Sequence, residues 1–202
     1  LDCIFFESKN VRKTYAVMAD NYYKKKPELI VGVTGTNGKT STAWFTNKIW
    51  TLLGKKSASI GTLGVDVGSN IKKTNLTTPD PAVLSKTLRN LKNYGVKNAI
   101  IEVSSHGLSQ HRLDGIKFSI SAITSLGRDH LDYHTSYSQY IKTKLKLFSE
   151  LTEEEGVAII NSDIKEFSLF KDAANSKKLK VITVGSKNNS DWKLSLIHIS
   201  EP

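Results

Sequence analysis

The chain has 202 residues, with 29 Lys plus Arg against 19 Asp plus Glu for a net charge of +10, and is about 45% apolar once its 13 glycines join the 39% hydrophobic fraction. That is enough apolar material for a core, so wholesale disorder is excluded, and no run approaches the roughly 18 apolar residues of a membrane span. The single cysteine, Cys3, excludes an intramolecular disulfide and a cysteine-cluster metal site, which fits a reducing, cytoplasmic setting.

In chain order, Leu1 to Glu7 carry neither a basic segment nor a long apolar run, so no signal peptide is expected, and without Met at its start the chain is expected to begin mid-protein. Val11, Tyr15, Met18, Ala19 and Tyr22 recur at helical spacing and predict a helix over 11–23. Leu29 to Thr34, LIVGVT, reads as a buried parallel strand. A glycine-punctuated turn, GTNGK, follows, and a helical pattern then runs from Thr40 to Leu53 and stops at Gly54. Residues 57–67 are β-like with Gly61, Gly64 and Gly68 as punctuation, and 75–81 form a loop ending on Pro81, a residue suited to the first turn of a helix. That helix is amphipathic over 83–94 and stops at Gly95. Strands are expected at 98–103, 118–124, 156–160 and 179–184, and helices from Ser136 to about Leu151 and over 164–174. Strands alternating with helices mean an α/β fold: a mostly parallel sheet flanked by helices on both faces.

Two features carry the chemistry. Gly35 to Ser41, GTNGKTS, sits between strand and helix, the context of a phosphate cradle. Backbone N–H groups of Gly35, Thr36, Asn37 and Gly38 and the positive end of the helix suit a polyphosphate, with Lys39 reaching the β- and γ-phosphates and Thr40 beside a Mg²⁺. Val33 stands where the general phosphate-loop pattern has its first glycine, so this is a variant loop. Glu102 ends a buried strand, where a carboxylate can hold Mg²⁺ against phosphate oxygens. The lysines are dispersed in short groups, which disfavours nucleic acid and leaves either solvated surface charge or a small polyanion as their meaning. No NKxD-like segment follows the loop to mark a GTP-dependent switch.

TGTNGKTS, together with LTTPDP at 76–81, EVSSHGLSQHR at 102–112 and RDHLDYH at 128–134, resembles the Mur ligase family, the ATP-dependent amide-bond ligases of cell-wall precursor synthesis. The combination is similar to the branch that adds the third residue of the stem peptide; the folate-polyglutamate and cyanophycin branches are the alternative. The resemblance implies a P-loop-like ATPase core and a ligase that uses ATP and Mg²⁺ to join a diamino acid, diaminopimelate or lysine, to UDP-MurNAc-L-Ala-D-Glu through an acyl phosphate. It implies a monomer with no nucleic-acid partner and no membrane insertion. By the same resemblance, residues 35–41 hold ATP, and Thr77, Thr78, Ser104, Gln110 and Arg112 hold the UDP-muramoyl peptide. Thr40, Glu102, His130 and a carbamylated Lys144 serve the metal ions, with Lys39, His130 and Lys144 as the catalytic set. Leu76 departs from the family, which often has Asn directly before the Thr pair. His106, His111 and His134 are assigned structural or hydrogen-bonding roles. Residues 1–28 are expected to be the end of a UDP-binding domain and 29–193 an incomplete central ATP-binding domain, inactive alone. Residues 194–202, LSLIHISEP, break the pattern, resemble translated sequencing-adapter DNA, and are expected to be non-native.

Overall fold

The computed structural model describes residues 7–68, 71–72, 76–127 and 135–194. Among these, six α-helices and nine strands alternate along the chain. The helices are α1 (Val11–Tyr23), α2 (Lys39–Leu52), α3 (Pro81–Asn93), α4 (Ser105–Ser109), α5 (Tyr137–Lys146) and α6 (Phe167–Ser176). The strands are β1 (Leu29–Thr34), β2 (Ser57–Gly61), β3 (Gly64–Asp66), β4 (Ile71–Lys72), β5 (Asn98–Glu102), β6 (Phe118–Ile123), β7 (Thr152–Asn161), β8 (Lys180–Gly185) and β9 (Trp192–Lys193).

The strands form one sheet in the order β4-β3-β2-β5-β1-β6-β7-β8-β9. Pairing is parallel from β2 through β9, and only the β2–β3 and β3–β4 pairs are antiparallel. The strands that follow β1 are split around it, with β2 and β5 on one side and β6, β7 and β8 on the other. This is the topological switch point at which open α/β sheets collect ligands, beyond the carboxyl ends of the strands.

Alternation along β1 explains the layers. Ile30 points into a large core with Leu84, Leu88 and Leu91 of α3, and with Phe148 and Phe170 beyond the other side of β1. Val31 and Val33 point to the opposite face, against Ala43 and Trp50 of α2. Each fully buried leucine of α3 contributes about 1.5–3 kcal/mol relative to exposure. α3 starts where its sequence says: the Asp80 carboxylate accepts from Ala82 N at 3.0 Å, and Pro81 takes the first helical position.

Three details differ from the expectation. The β-like stretch 57–67 is an antiparallel hairpin at one edge of the sheet, because a tight turn at residues 62–63 sends β3 straight back along β2. The helix from Ser136 changes to a π-helical turn over Leu147–Leu151, its last C=O groups meeting the start of β7 through the Thr152 hydroxyl, which donates to Leu147 O at 2.6 Å. The short helix α4 is missed altogether. It begins at Ser104, whose hydroxyl accepts from Gly107 N at 3.0 Å.

Candidate functional site

The carboxyl ends of β1, β2, β5 and β6 deliver four loops to one edge of the sheet. Beyond β1, the chain turns through residues 35–38 into α2. Gly38 has φ +84°, a left-handed conformation at the residue that opens the helix, where a β-carbon would be strained. The loop is braced from the strand beside it: Asn37 O accepts from Thr124 Oγ1 at 2.6 Å and from Ser125 Oγ at 3.1 Å, and Thr36 N donates to Ser125 O at 2.8 Å. Lys39 curls over the loop it follows, its Nζ donating to Gly35 O and Thr36 O, both at 2.9 Å.

Glu102 closes β5 and is 2% exposed. Its Oε2 accepts from Thr40 Oγ1 at 2.7 Å and from Thr62 Oγ1 at 3.2 Å, and its Oε1 accepts from Thr62 N at 2.8 Å. The carboxylate is seated against Gly61, where any β-carbon would collide with it. A hydroxyl and a carboxylate side by side next to a glycine-containing helix-opening loop are hard oxygen donors of the kind Mg²⁺ takes, so the residues present fit that ion. Among the described residues no three His, Cys, Asp or Glu side chains converge.

Lys144 is 1% exposed, whereas Lys142 on the same helix is exposed. Its Nζ donates to Gly35 O at 3.0 Å, approaches Thr34 Oγ1 at 3.4 Å, and lies 4.5 Å from the centre of the Tyr140 ring. The three lysines 142, 144 and 146 therefore do not form a uniformly solvated face. Tyr140 is fully buried, and its hydroxyl meets Thr36 Oγ1 at 2.8 Å, so one side chain both floors Lys144 and steadies the 35–38 loop.

Across the cleft, Thr78 is 1% exposed; its hydroxyl donates to Glu102 O at 2.8 Å, meets Ser104 Oγ at 3.0 Å and accepts from Ser104 N at 3.0 Å. Arg112 directs its fork inward, with Nη1 donating to Thr78 O at 2.8 Å and Nε and Nη2 both donating to Gln110 Oε1. Thr77 faces Thr62, hydroxyl to hydroxyl, at 3.1 Å. A cavity of about 410 Å³ joins the two halves: Gly35, Lys39, Thr40, Glu102 and Lys144 line it together with Thr77, Thr78, Ser104, His106 and Arg112. A larger hollow of about 730 Å³ opens at the opposite edge of the sheet, past the ends of α2 and α3. The carbonyl-rich helix ends there favour its lysines, Lys55 and Lys56, over an anionic ligand.

Most of the residues singled out from the sequence thus meet in one cleft. Gln110 reaches it through Arg112, and Thr36, Asn37, Gly38 and Ser41 belong to the loop and first turn of α2 without lining the cavity. His130 lies outside the described residues, as does the rest of RDHLDYH. Thr62 and Tyr140 were not foreseen. Thr62 follows a glycine at a strand end, as Thr36 follows Gly35, and that parallel is the available signal. Tyr140 lies one helical turn before Lys144, which a face count reveals only once Lys144 is taken as buried.

Residues 33–201 match the Mur ligase middle domain family. The UDP-N-acetylmuramoyl-L-alanyl-D-glutamate–2,6-diaminopimelate ligase of Brucella melitensis is 44% identical over 178 residues, covering 88% of this chain and 36% of that protein. The enzyme of the same name from Bradyrhizobium diazoefficiens is 42% identical over 197 residues, covering 98% of this chain and 40% of its own length. A solved structure of a ligase of that name superposes with a TM-score of 0.83 at 31% identity, over 92% of this chain and 39% of that one. The chain therefore spans well under half the length of these relatives. With residues 33–201 matching the family model and a solved ligase superposing over 92% of it, the chain belongs to the Mur ligase family.

Proposed function

We propose that this chain is the ATP-binding part of a cytoplasmic, monomeric ligase that joins diaminopimelate to UDP-MurNAc-L-Ala-D-Glu. The observation that carries the reading is the Thr40–Glu102 contact at 2.7 Å, beside the phosphate loop and in one cavity with Thr78, Ser104 and Arg112. An ATP-side half and a peptide-side half then share one cavity. The choice of diaminopimelate over lysine is supported by the names of the relatives.

In this reading the N-terminus of α2 and the loop amides bind the polyphosphate, and Lys39 turns from Gly35 O and Thr36 O to the β- and γ-phosphates. Thr40 and Glu102 hold Mg²⁺, with Lys144, as a carbamate, and His130 serving the metal sites. Mg²⁺, when bound, neutralises phosphate charge. Thr77, Thr78, Ser104, Gln110 and Arg112 orient the muramoyl dipeptide so that its D-glutamyl carboxylate is in line with the γ-phosphorus. The carboxylate oxygen takes the phosphoryl group and ADP leaves. The amine of diaminopimelate then attacks the acyl carbon, loses a proton, and expels phosphate. Residues 1–28 are read as the end of a preceding UDP-binding domain. The test is ADP release by the full-length gene product: it should require UDP-MurNAc-L-Ala-D-Glu and diaminopimelate together. Release driven by a folate substrate, or by lysine in place of diaminopimelate, contradicts the assignment.

A further inference from the structure

α1 touches both peptide-side loops. Its Tyr15 hydroxyl donates to Asp80 Oδ1 at 3.0 Å, two residues beyond Thr78. Asp80 holds the Tyr15 phenol above its ordinary pKa, chiefly through this hydrogen bond. At the start of α1, Asn10 Nδ2 meets His111 Nε2 at 3.1 Å, between Gln110 and Arg112. Asn10 Oδ1 is already committed, accepting from Lys13 N at 3.1 Å as the helix cap. The amide nitrogen must therefore be the group facing His111, and Nε2 must accept. The imidazole proton then sits on Nδ1 and is donated to Asp114 Oδ1 at 3.0 Å. His111 adopts φ +57°, an uncommon conformation for a non-glycine residue, which turns its ring toward α1 while its neighbours face the cleft. The Arg112–Thr78 bond at 2.8 Å joins the two loops directly. The contacts close a circuit: α1 to Asp80, Thr78 to Arg112, His111 back to α1. Ala16 and Ala19, buried at 1% and 7%, press the middle of α1 against the domain.

We propose that α1 is a strut that sets the two peptide-side loops, 76–80 and 104–112, with His111 as the positioning residue at one of its two tethers. The kinetic consequence rests on the proposed function: the strut governs the hold on the UDP-muramoyl dipeptide and leaves the ATP side alone, because neither tether touches residues 35–41. Asn10→Ser keeps a capping oxygen but is too short to reach His111. His111→Asn keeps an amide at the Nδ1 position and tolerates the backbone conformation, but it too cannot span to Asn10. In the full-length gene product each change should raise KM for UDP-MurNAc-L-Ala-D-Glu about three- to tenfold, the scale of one lost hydrogen bond, with kcat and KM for ATP within about twofold. The double variant should be no worse than either single one, since both remove the same bond. Additive effects, or an equal rise in KM for ATP, overturn the proposal. Hydrogen exchange on the same variants, without substrate, should quicken at amides of 104–112 and not at 35–41. Unchanged exchange in 104–112 overturns the strut whatever the activity, whereas a parent enzyme lacking peptide-dependent ADP release counts against the proposed function alone.

Discussion

Thr40 Oγ1 donates to Glu102 Oε2 at 2.7 Å, tying the first turn of α2 to the end of β5, the strand beside β1. The Glu102 carboxylate is held from two sides, by Thr40 and by both polar groups of Thr62, and a glycine lies against it. A position so constrained leaves little latitude for the ion it is proposed to hold, and that makes the wall behind it testable. Gly61→Ala adds a β-carbon where the carboxylate lies. The substitution should lower Mg²⁺-dependent turnover of the full-length enzyme by about tenfold or more, approaching Glu102→Gln, because an ill-placed ligand resembles a missing one. Wild-type turnover in Gly61→Ala would show that the Glu102 geometry is not needed.

The phosphate loop supplies the second expectation. Lys39 is held over the 35–38 loop by two carbonyl groups, which it is proposed to exchange for phosphate oxygens. Lys39→Ala should abolish measurable ATP turnover while the protein still unfolds in one cooperative transition. Nucleotide titration followed by calorimetry would check the binding step, and near-normal product formation would remove the loop from the ATP site.

How much of this was legible beforehand depends on the reach of each signal. β1, α1 and α3 stand out because their patterns are local: an apolar β-branched run, a helical period, an Asp-Pro start. The order of strands around β1 is non-local, and so is the burial of Lys144, which three lysines at alternate positions on one helix disguise as a solvated face. α4 is too short for a period to register, and its signal is only Ser104 three residues before Gly107. For His111 the sequence predicts a structural or hydrogen-bonding role, but one of its partners, Asn10, lies 101 residues away, and no sequence pattern reports that distance.

Thr78 offers a test of stability rather than catalysis. Its buried hydroxyl donates to the Glu102 carbonyl and accepts from Ser104 N, so Thr78→Val leaves both groups without that partner while keeping the side-chain volume. The expected cost is about 1–3 kcal/mol of unfolding free energy, with Thr78→Ser recovering most of it. Urea titration of the three proteins measures it, and equal stability of Thr78→Val and the parent would show that water or a neighbour takes over both bonds.

Lys144 gives the sharpest contrast within one helix. It is buried against Gly35 O and the Tyr140 ring, while Lys142 is exposed and Lys146 only partly covered. A plain ammonium ion repels a divalent cation, whereas a carbamate formed from carbon dioxide and the neutral amine changes the charge from +1 to about −1 and turns a repulsive neighbour into an attractive one. A lysine carbamate also extends farther than a glutamate would from the same backbone position. In the full-length enzyme, Lys144→Ala should lower turnover by several orders of magnitude, and Lys142→Ala and Lys146→Ala should change it by less than about threefold. A short added carboxylate should restore part of the Lys144→Ala activity. Depleting bicarbonate should slow the parent enzyme and leave the variant unaffected. Equal, small losses from all three substitutions would reduce this helix to a charged face and reject the carbamate. A large loss at Lys144 that neither carboxylate nor bicarbonate alters would mean that the ammonium group itself, bonded to Gly35 O, is what the loop requires.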